Sequence, residues 1–325
     1  MLRSEKSLIR QIRQLSGTGK SAQSRSRIAL GIGDDTAILR PPPGHEILVT
    51  TDFSLEDVHF RRDWHPAASV GHRCLARGLS DIAAMGGKPV AAFLSLALPA
   101  TLPQQWVDGF LEGLLRLARQ HGVVLAGGDT AQSPGRSEAK ILADIVVLGS
   151  VPQGKAIRRS GAKPGDPIYV TGSLGASAAA LAEMYAKPKK KLDSRKHPRH
   201  FYPEPHIALG MYLRKRKIAS AMIDLSDGLS TDLNHICEES RVGAAITADL
   251  IPRAEAVTLE QALHGGEDYE LLFTAPAKRK VPRLIAGIPV TRIGEIRGGP
   301  SQVFLSQNNR SVELVPRGWE HFKNH

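Results

Sequence analysis

Six times along this chain a carboxylate appears where an apolar run breaks into glycine, serine or threonine. The places are Gly31-Ile32-Gly33-Asp34-Asp35, Thr50-Thr51-Asp52, Leu79-Ser80-Asp81, Gly127-Gly128-Asp129-Thr130, Ile223-Asp224-Leu225-Ser226-Asp227-Gly228 and Gly265-Gly266-Glu267-Asp268-Tyr269. A carboxylate beside buried backbone is costly unless it is paired or bound to a cation. Taken singly, each motif reads equally well as a turn or a helix cap. Six in one chain ask for a common cause, and a shared metal-phosphate site supplies one. Magnesium takes oxygen ligands, keeps several waters, and is usually held by one or two carboxylates together with substrate phosphates. The near absence of His and Cys from the motifs argues against zinc and copper. The Gly127-Gly128 and Gly265-Gly266 pairs fit a backbone that approaches a polyphosphate closely.

Other chemistry-bearing patterns weigh less. Ser16-Gly17-Thr18-Gly19-Lys20-Ser21 resembles the end of a Walker A loop, but Gln14 stands where the first glycine is required and a helix pattern precedes it. Gly31-Ile32-Gly33 lacks the third glycine of a dinucleotide fingerprint. Gly172-Ser173-Leu174-Gly175 sits between a strand and a helix pattern and reads first as an ordinary turn, with a phosphate contact as the alternative. Locally, His59 reads as structural before it reads as a substrate contact. Trp319 reads as a packed anchor before a stacking surface for a cationic ring. No Ser-His-Asp order, nucleophilic Cys motif or G-x-S-x-G elbow is present.

The elements that must position these residues follow from periodicity. Helical spacing covers residues 4–15, 70–85, 102–121, 176–185, 207–213 and 229–240. Strand patterns cover 28–33, 46–52, 90–98, 123–126, 140–151, 168–170, 221–224, 244–247 and 270–274, with 187–205 expected to be a loop. The alternation predicts an α+β or α/β fold of two similar domains, with the boundary near Val151.

Length and composition agree: 325 residues with 42% hydrophobic content can fill about two domain cores. Cys74 and Cys237 allow no disulfide framework and no C-x-x-C metal pair. Residues 1–13 form a charged amphipathic stretch without an apolar signal core, and no run approaches the roughly 18 apolar residues of a membrane span. The expectation is a cytoplasmic protein without a membrane partner. The formal charge of +11 raises nucleic acid as a partner. Its clusters, at 25–27 and 187–199, lack interleaved aromatics, so solvated surface and attraction for an anionic substrate are favoured.

Taken together the motifs resemble one family over nearly the whole chain: thiamine-monophosphate kinase, within the larger group that includes aminoimidazole ribonucleotide synthetase. Leu79-Ser80-Asp81-Ile82-Ala83-Ala84-Met85-Gly86, Arg159-Ser160-Gly161-Ala162-Lys163-Pro164-Gly165-Asp166 and Gly265-Gly266-Glu267-Asp268-Tyr269-Glu270-Leu271 carry the likeness with the motifs above. The resemblance implies a two-domain α+β fold, with an N-terminal mixed sheet (1–151) that binds metal and ATP and pairs with its twin in a homodimer. A C-terminal α/β domain (152–325) completes a cleft for ATP and several magnesium ions. It implies a metal shell of Asp35, Thr50, Thr51, Asp52, Asp81, Asp129, Asp224 and Asp227. ATP contacts at Gly128, Asp129, Arg159 and Ser226 and substrate contacts at His59, Glu267 and Trp319 follow from the same resemblance, which revises the local readings of His59 and Trp319. Asp52, Asp81, Asp129 and Arg159 are then expected to carry in-line transfer from ATP to thiamine monophosphate. The alternatives are another ATP-using member of the group, such as aminoimidazole ribonucleotide synthetase, and a basic nucleic-acid-binding protein. Thr50 stands where the family often has Ser, which keeps the hydroxyl.

Overall fold

The computed structural model describes residues 3–16, 27–135, 138–319 and 322. The Walker-like residues 17–21 and most of the basic cluster at 25–27 lie outside the described residues. The chain divides into two compact units, residues 1–82 with 87–154 and residues 83–86 with 155–325.

The first unit opens with α1 (Glu5–Leu15), which buries Leu8 and Ile12, one turn apart on a single face. The short strands β1 (Ile28–Leu30) and β2 (Ile38–Leu39) pair with each other. Then come β3 (His45–Leu55), α2 (Ala67–Ala84), β4 (Lys88–Leu98), α3 (Gln104–His121), β5 (Val124–Gln132) and β6 (Leu142–Pro152). The sheet order is β3-β6-β4-β5, with β4 and β5 parallel and the other pairs antiparallel. Helix α3 is held by Phe110, Leu111, Leu114 and Leu117, all fully buried, each contributing about 2 kcal/mol of apolar transfer. It ends on Gly122 in the left-handed conformation.

The second unit runs β7 (Pro167–Thr171), α4 (Ala176–Ala186), α5 (Pro198–Phe201), α6 (Ile207–Lys215), β8 (Ala221–Asp224), α7 (Leu229–Ser240), β9 (Gly243–Thr247), α8 (Leu259–His264), β10 (Leu271–Thr274), β11 (Leu284–Ile285), β12 (Ile288–Arg297), β13 (Val303–Gln307) and β14 (Arg310–Glu313). Its sheet order is β14-β13-β9-β12-β7-β10-β8, with β11 on β12. Only β9 and β13 pair in parallel. Its core includes a cluster built on Ile168, Val170, Leu233, Ile236, Leu272 and Ile293.

Two expectations are corrected. Residues 187–205 are not all loop: Pro198 opens α5 with its ring-fixed φ, and Phe201 closes it fully buried. The strand expected to end at Ala126 continues as β5 to Gln132, through Gly127-Gly128-Asp129. Pairing with β4 carries the weak Gly-Gly step, across a register shift at Ala92/Phe93. Elements from α8 onward, apart from β10, were not expected. Thr258 and Gln261 cap α8 reciprocally, and that Thr-x-x-Gln pattern is legible in the sequence. Among the described residues no helix is long and apolar enough to cross a membrane.

Candidate active site

Strand β3 alternates its side chains between two faces. Thr50, Asp52 and Ser54 take the face that α2 covers, and Thr50 Oγ1 donates a short hydrogen bond to Asp81 Oδ2 on that helix. Arg77, one turn before Asp81, donates from Nη1 to the Phe53 carbonyl (3.1 Å). Thr51 takes the opposite face and donates from Oγ1 to Asp144 Oδ1 (2.7 Å). The register places Asp144 opposite Ser95, and Ser95 opposite Asp129, in one row across three strands. Thr50, Asp52 and Asp81 are thus brought to one face, and Thr51 and Asp129 to the other.

Sequence reasoning missed Asp144. Its signal was a lone acid in the apolar run Leu142-Ala143-Asp144-Ile145-Val146. Asp35 lies exposed in the turn after β1, where its N–H donates to Asp34 Oδ1 (2.9 Å). Gly128 has a φ of 147°, and a Cβ there would stand 1.8 Å from the Leu94 carbonyl oxygen, so only glycine fits this point of β5.

Half-buried His59 follows the end of β3. Its Nδ1 accepts from the Leu55 N–H (3.0 Å), which puts the proton of a neutral ring on Nε2. Arg73 Nη2 donates to the His59 carbonyl (3.2 Å). His59, Phe60, Val70, Ser54, Arg73 and Arg77 line a shallow depression.

In the second unit the expected residues gather around Leu225-Ser226-Asp227. Asp224 ends β8, buried, and the turn after it leads into α7. The Glu267 N–H donates to the Ser226 carbonyl (2.8 Å), and the Tyr269 N–H to that of Leu225 (2.9 Å). From the other side the Trp319 N–H donates to the Asp227 carbonyl (3.2 Å), and the Gly318 N–H to Thr231 Oγ1 (3.1 Å). A Cβ on Gly318 would lie 2.0 Å from that same Asp227 oxygen, so glycine permits this close docking of the tail. Trp319 is anchored through its backbone while its side chain stays 44% exposed. Arg159 is exposed, and its carbonyl accepts from Ser240 Oγ (3.0 Å).

Asp232 and His235, three residues apart on α7, were missed; Asp227 lies in the turn just before that helix. Carboxylate and imidazole atoms of Asp227, Asp232 and His235 lie within 4.8 Å of one another. Burial, then the charges of Asp224 and Asp227, push the Asp232 carboxyl well above the usual carboxylate range, against N–H donation from Asp227 and Gly228. A cation would relieve that repulsion; the carboxylate oxygens of Asp227 and Asp232 suit magnesium, while the His235 imidazole adds a nitrogen that magnesium does not need. The turn Gly172-Ser173-Leu174-Gly175 is not a phosphate cradle at its helix end, because the Gly175 N–H already donates to Asp268 Oδ2 (2.7 Å). Burial pushes both Cys74 and Cys237 thiols up to about 12, which removes them as nucleophiles.

Two mixed-sheet units with carboxylates on their strands, on α2 and in the turn before α7 define a class. The family model for the AIR synthase related protein N-terminal domain matches residues 33–151, and that for its C-terminal domain matches residues 163–306. The thiamine-monophosphate kinase of Salmonella typhimurium is 37% identical over 314 residues, 92% of this chain and 94% of that protein. A thiamine-monophosphate kinase crystal structure from Stenotrophomonas maltophilia K279a superposes with a TM-score of 0.78 at 34% identity, covering 94% of this chain and 98% of that one. AaThiL complexed with AMPPCP and TMP superposes with a TM-score of 0.75 at 31% identity, covering 98% and 97%. The chain belongs to the thiamine-monophosphate kinase family.

Proposed function

We infer that this chain is an ATP-dependent kinase that phosphorylates thiamine monophosphate to thiamine diphosphate, the last step in making that coenzyme. The observation that carries the reading is whole-chain similarity to a relative solved with AMPPCP and TMP. A terminal phosphate oxygen of the acceptor forms the new bond to the γ-phosphorus of ATP, the bond from that phosphorus to the bridging oxygen breaks, and ADP leaves. The acceptor phosphate is already largely ionised near neutral pH, so no strong general base is needed. What the chain must supply is positioning and charge neutralisation, because two polyanions have to meet.

For that task we assign Asp35, Thr50, Thr51, Asp52, Asp81 and Asp129 of the first unit, with Asp224 and Asp227 of the second, to holding several magnesium ions. Magnesium, when bound, neutralises phosphate oxygens and orients the transferring group. Gly128, Asp129, Arg159 and Ser226 hold the nucleotide. His59 and Glu267 hold the substrate, and the half-exposed Trp319 offers a π-face to its cationic thiazolium ring. In this division of labour residues 1–151 form the metal- and ATP-binding domain and residues 152–325 complete the machinery.

The protein works as a homodimer in the cytoplasm. Supporting the dimer, Ile47, Val49 and Phe53 of β3 are 40%, 64% and 60% exposed on the face away from α2, an apolar stripe on an open sheet. Supporting the compartment, both cysteines are free and buried. The test of the reaction is incubation of pure protein with ATP, magnesium and thiamine monophosphate. Equal amounts of thiamine diphosphate and ADP are expected. ATP consumption only with the substrate of aminoimidazole ribonucleotide synthetase would overturn the reading.

A further inference from the structure

Residues Glu267 and Tyr269 both have positive φ, 65° and 52°. Non-glycine residues held there are strained and persist only when the surroundings over-determine them. What holds them is visible in the two acids that alternate with them. Asp268, buried, places Oδ2 on the Gly175 N–H (2.7 Å), at the start of α4. Glu270 is 2% exposed. Its Oε1 accepts from Arg199 Nη1 (2.7 Å), and its Oε2 from Thr171 Oγ1 (2.6 Å) and His206 Nε2 (2.7 Å). Arg199 Nη1 also donates to the Ser173 carbonyl (3.0 Å), and Thr171 Oγ1 in turn accepts from the Leu271 N–H (2.8 Å).

We propose that Asp268 and Glu270, clamped by the α4 N-terminus and by Arg199, His206 and Thr171, are positioning residues that fix the strained Glu267–Tyr269 turn and so aim Glu267 at thiamine monophosphate. The inference rests on the substrate role given to Glu267 above. It also gives a specific task to the end of the basic 187–199 segment, which the sequence reads only as charged surface. The Arg199 side chain is 45% exposed while that of Glu270 is 3% exposed, so the clamp reaches inward from the surface. Arginine suits the position because one planar guanidinium can serve a carboxylate and a carbonyl together.

The experiment compares wild type, R199A, R199K and E270Q by steady-state kinetics in both substrates, with circular dichroism melting as the fold control. Arg199 is half-exposed, so R199A folds even where E270Q, with a buried partner set left unbalanced, does not. R199A is expected to raise KM for thiamine monophosphate about fivefold or more, with kcat and KM for ATP within about twofold, and R199K to recover most of the loss. A smaller rise, an equal rise in KM for ATP, or a R199K variant as impaired as R199A overturns the proposal. Wild-type turnover is measured first. Its absence would end the kinase reading and this inference with it, whereas a null result confined to R199A overturns the clamp alone.

Discussion

Asp81 carries two duties in one side chain: it accepts from the Thr50 hydroxyl and stands on α2 facing the β3 residues around Asp52. Replacing it with Asn keeps the shape and an acceptor but removes the charge. Asp81→Asn should therefore fold normally and lose turnover by orders of magnitude at ordinary magnesium, as measured by thiamine diphosphate formed per second. Near-normal turnover would contradict the metal-holding role. Asp268 gives a prediction of a different kind. Burial raises its carboxyl to about 7, against N–H donation from Gly175, with Glu270 adding to the rise. The folded chain thus holds this proton more tightly than the unfolded chain. Stability from this group is fully present below the unfolded value and is lost as pH rises through about 7. Asp268→Asn keeps the acceptor for Gly175 and removes the ionisation. Its stability relative to wild type should climb between pH 5 and 7 by about 1.4 kcal/mol per pH unit, measured by urea unfolding at each pH. A constant difference would count against an ionising, buried Asp268.

At the scale of elements, the β4–β5 pair depends on Gly128. Any side chain there meets the Leu94 carbonyl, so Gly128→Ala should destabilise the fold by about 2 kcal/mol or more and loosen the row that carries Asp129. Thermal melting of the variant reads this directly, and an unchanged midpoint would mean the strand can be accommodated otherwise. Strand β3 makes the other element-level prediction. Its inner face holds Thr50 and Asp52 while its outer face exposes Val49 and Phe53. Phe53→Asp, a change on the outer face, should convert the proposed dimer to a monomer in sedimentation velocity while leaving far-ultraviolet dichroism unchanged. A wild-type monomer at micromolar concentration would defeat the dimer proposal.

For the whole molecule the charge of +11 admits a competing use in binding nucleic acid. The prediction separates the two: at physiological salt the protein should bind neither duplex nor single strands tightly enough to shift in fluorescence anisotropy, while ATP turnover with thiamine monophosphate persists. Steep salt-dependent binding without turnover would favour the rival reading. Part of the positive surface has local work instead. Arg199 holds Glu270, Arg195 pairs with Asp193 at 3.1 Å, and Lys140 pairs with Asp57 at 2.6 Å.

The long helices and strands of both units were legible because apolar spacing at 3.6 or 2 residues is local information; residues 70–85 became α2 and 140–151 became β6 within a few positions. The motif carboxylates were legible too, since acids at the ends of apolar runs break the local pattern. The strands β11–β14 were not, because β14 is exposed throughout and β12 contains Pro289 and Gly294, so their pairing is dictated by partners far along the chain. Asp144, Asp232 and Arg199 escaped for the same reason: each acquires its meaning from a neighbour distant in sequence or across the turn that opens a helix, Thr51, Asp227 and Glu270. Which acids meet, which face of β3 is covered, and which backbone N–H groups are already taken depend on register and packing. Those are set by burial across the whole sheet, and no local stretch of the sequence contains them.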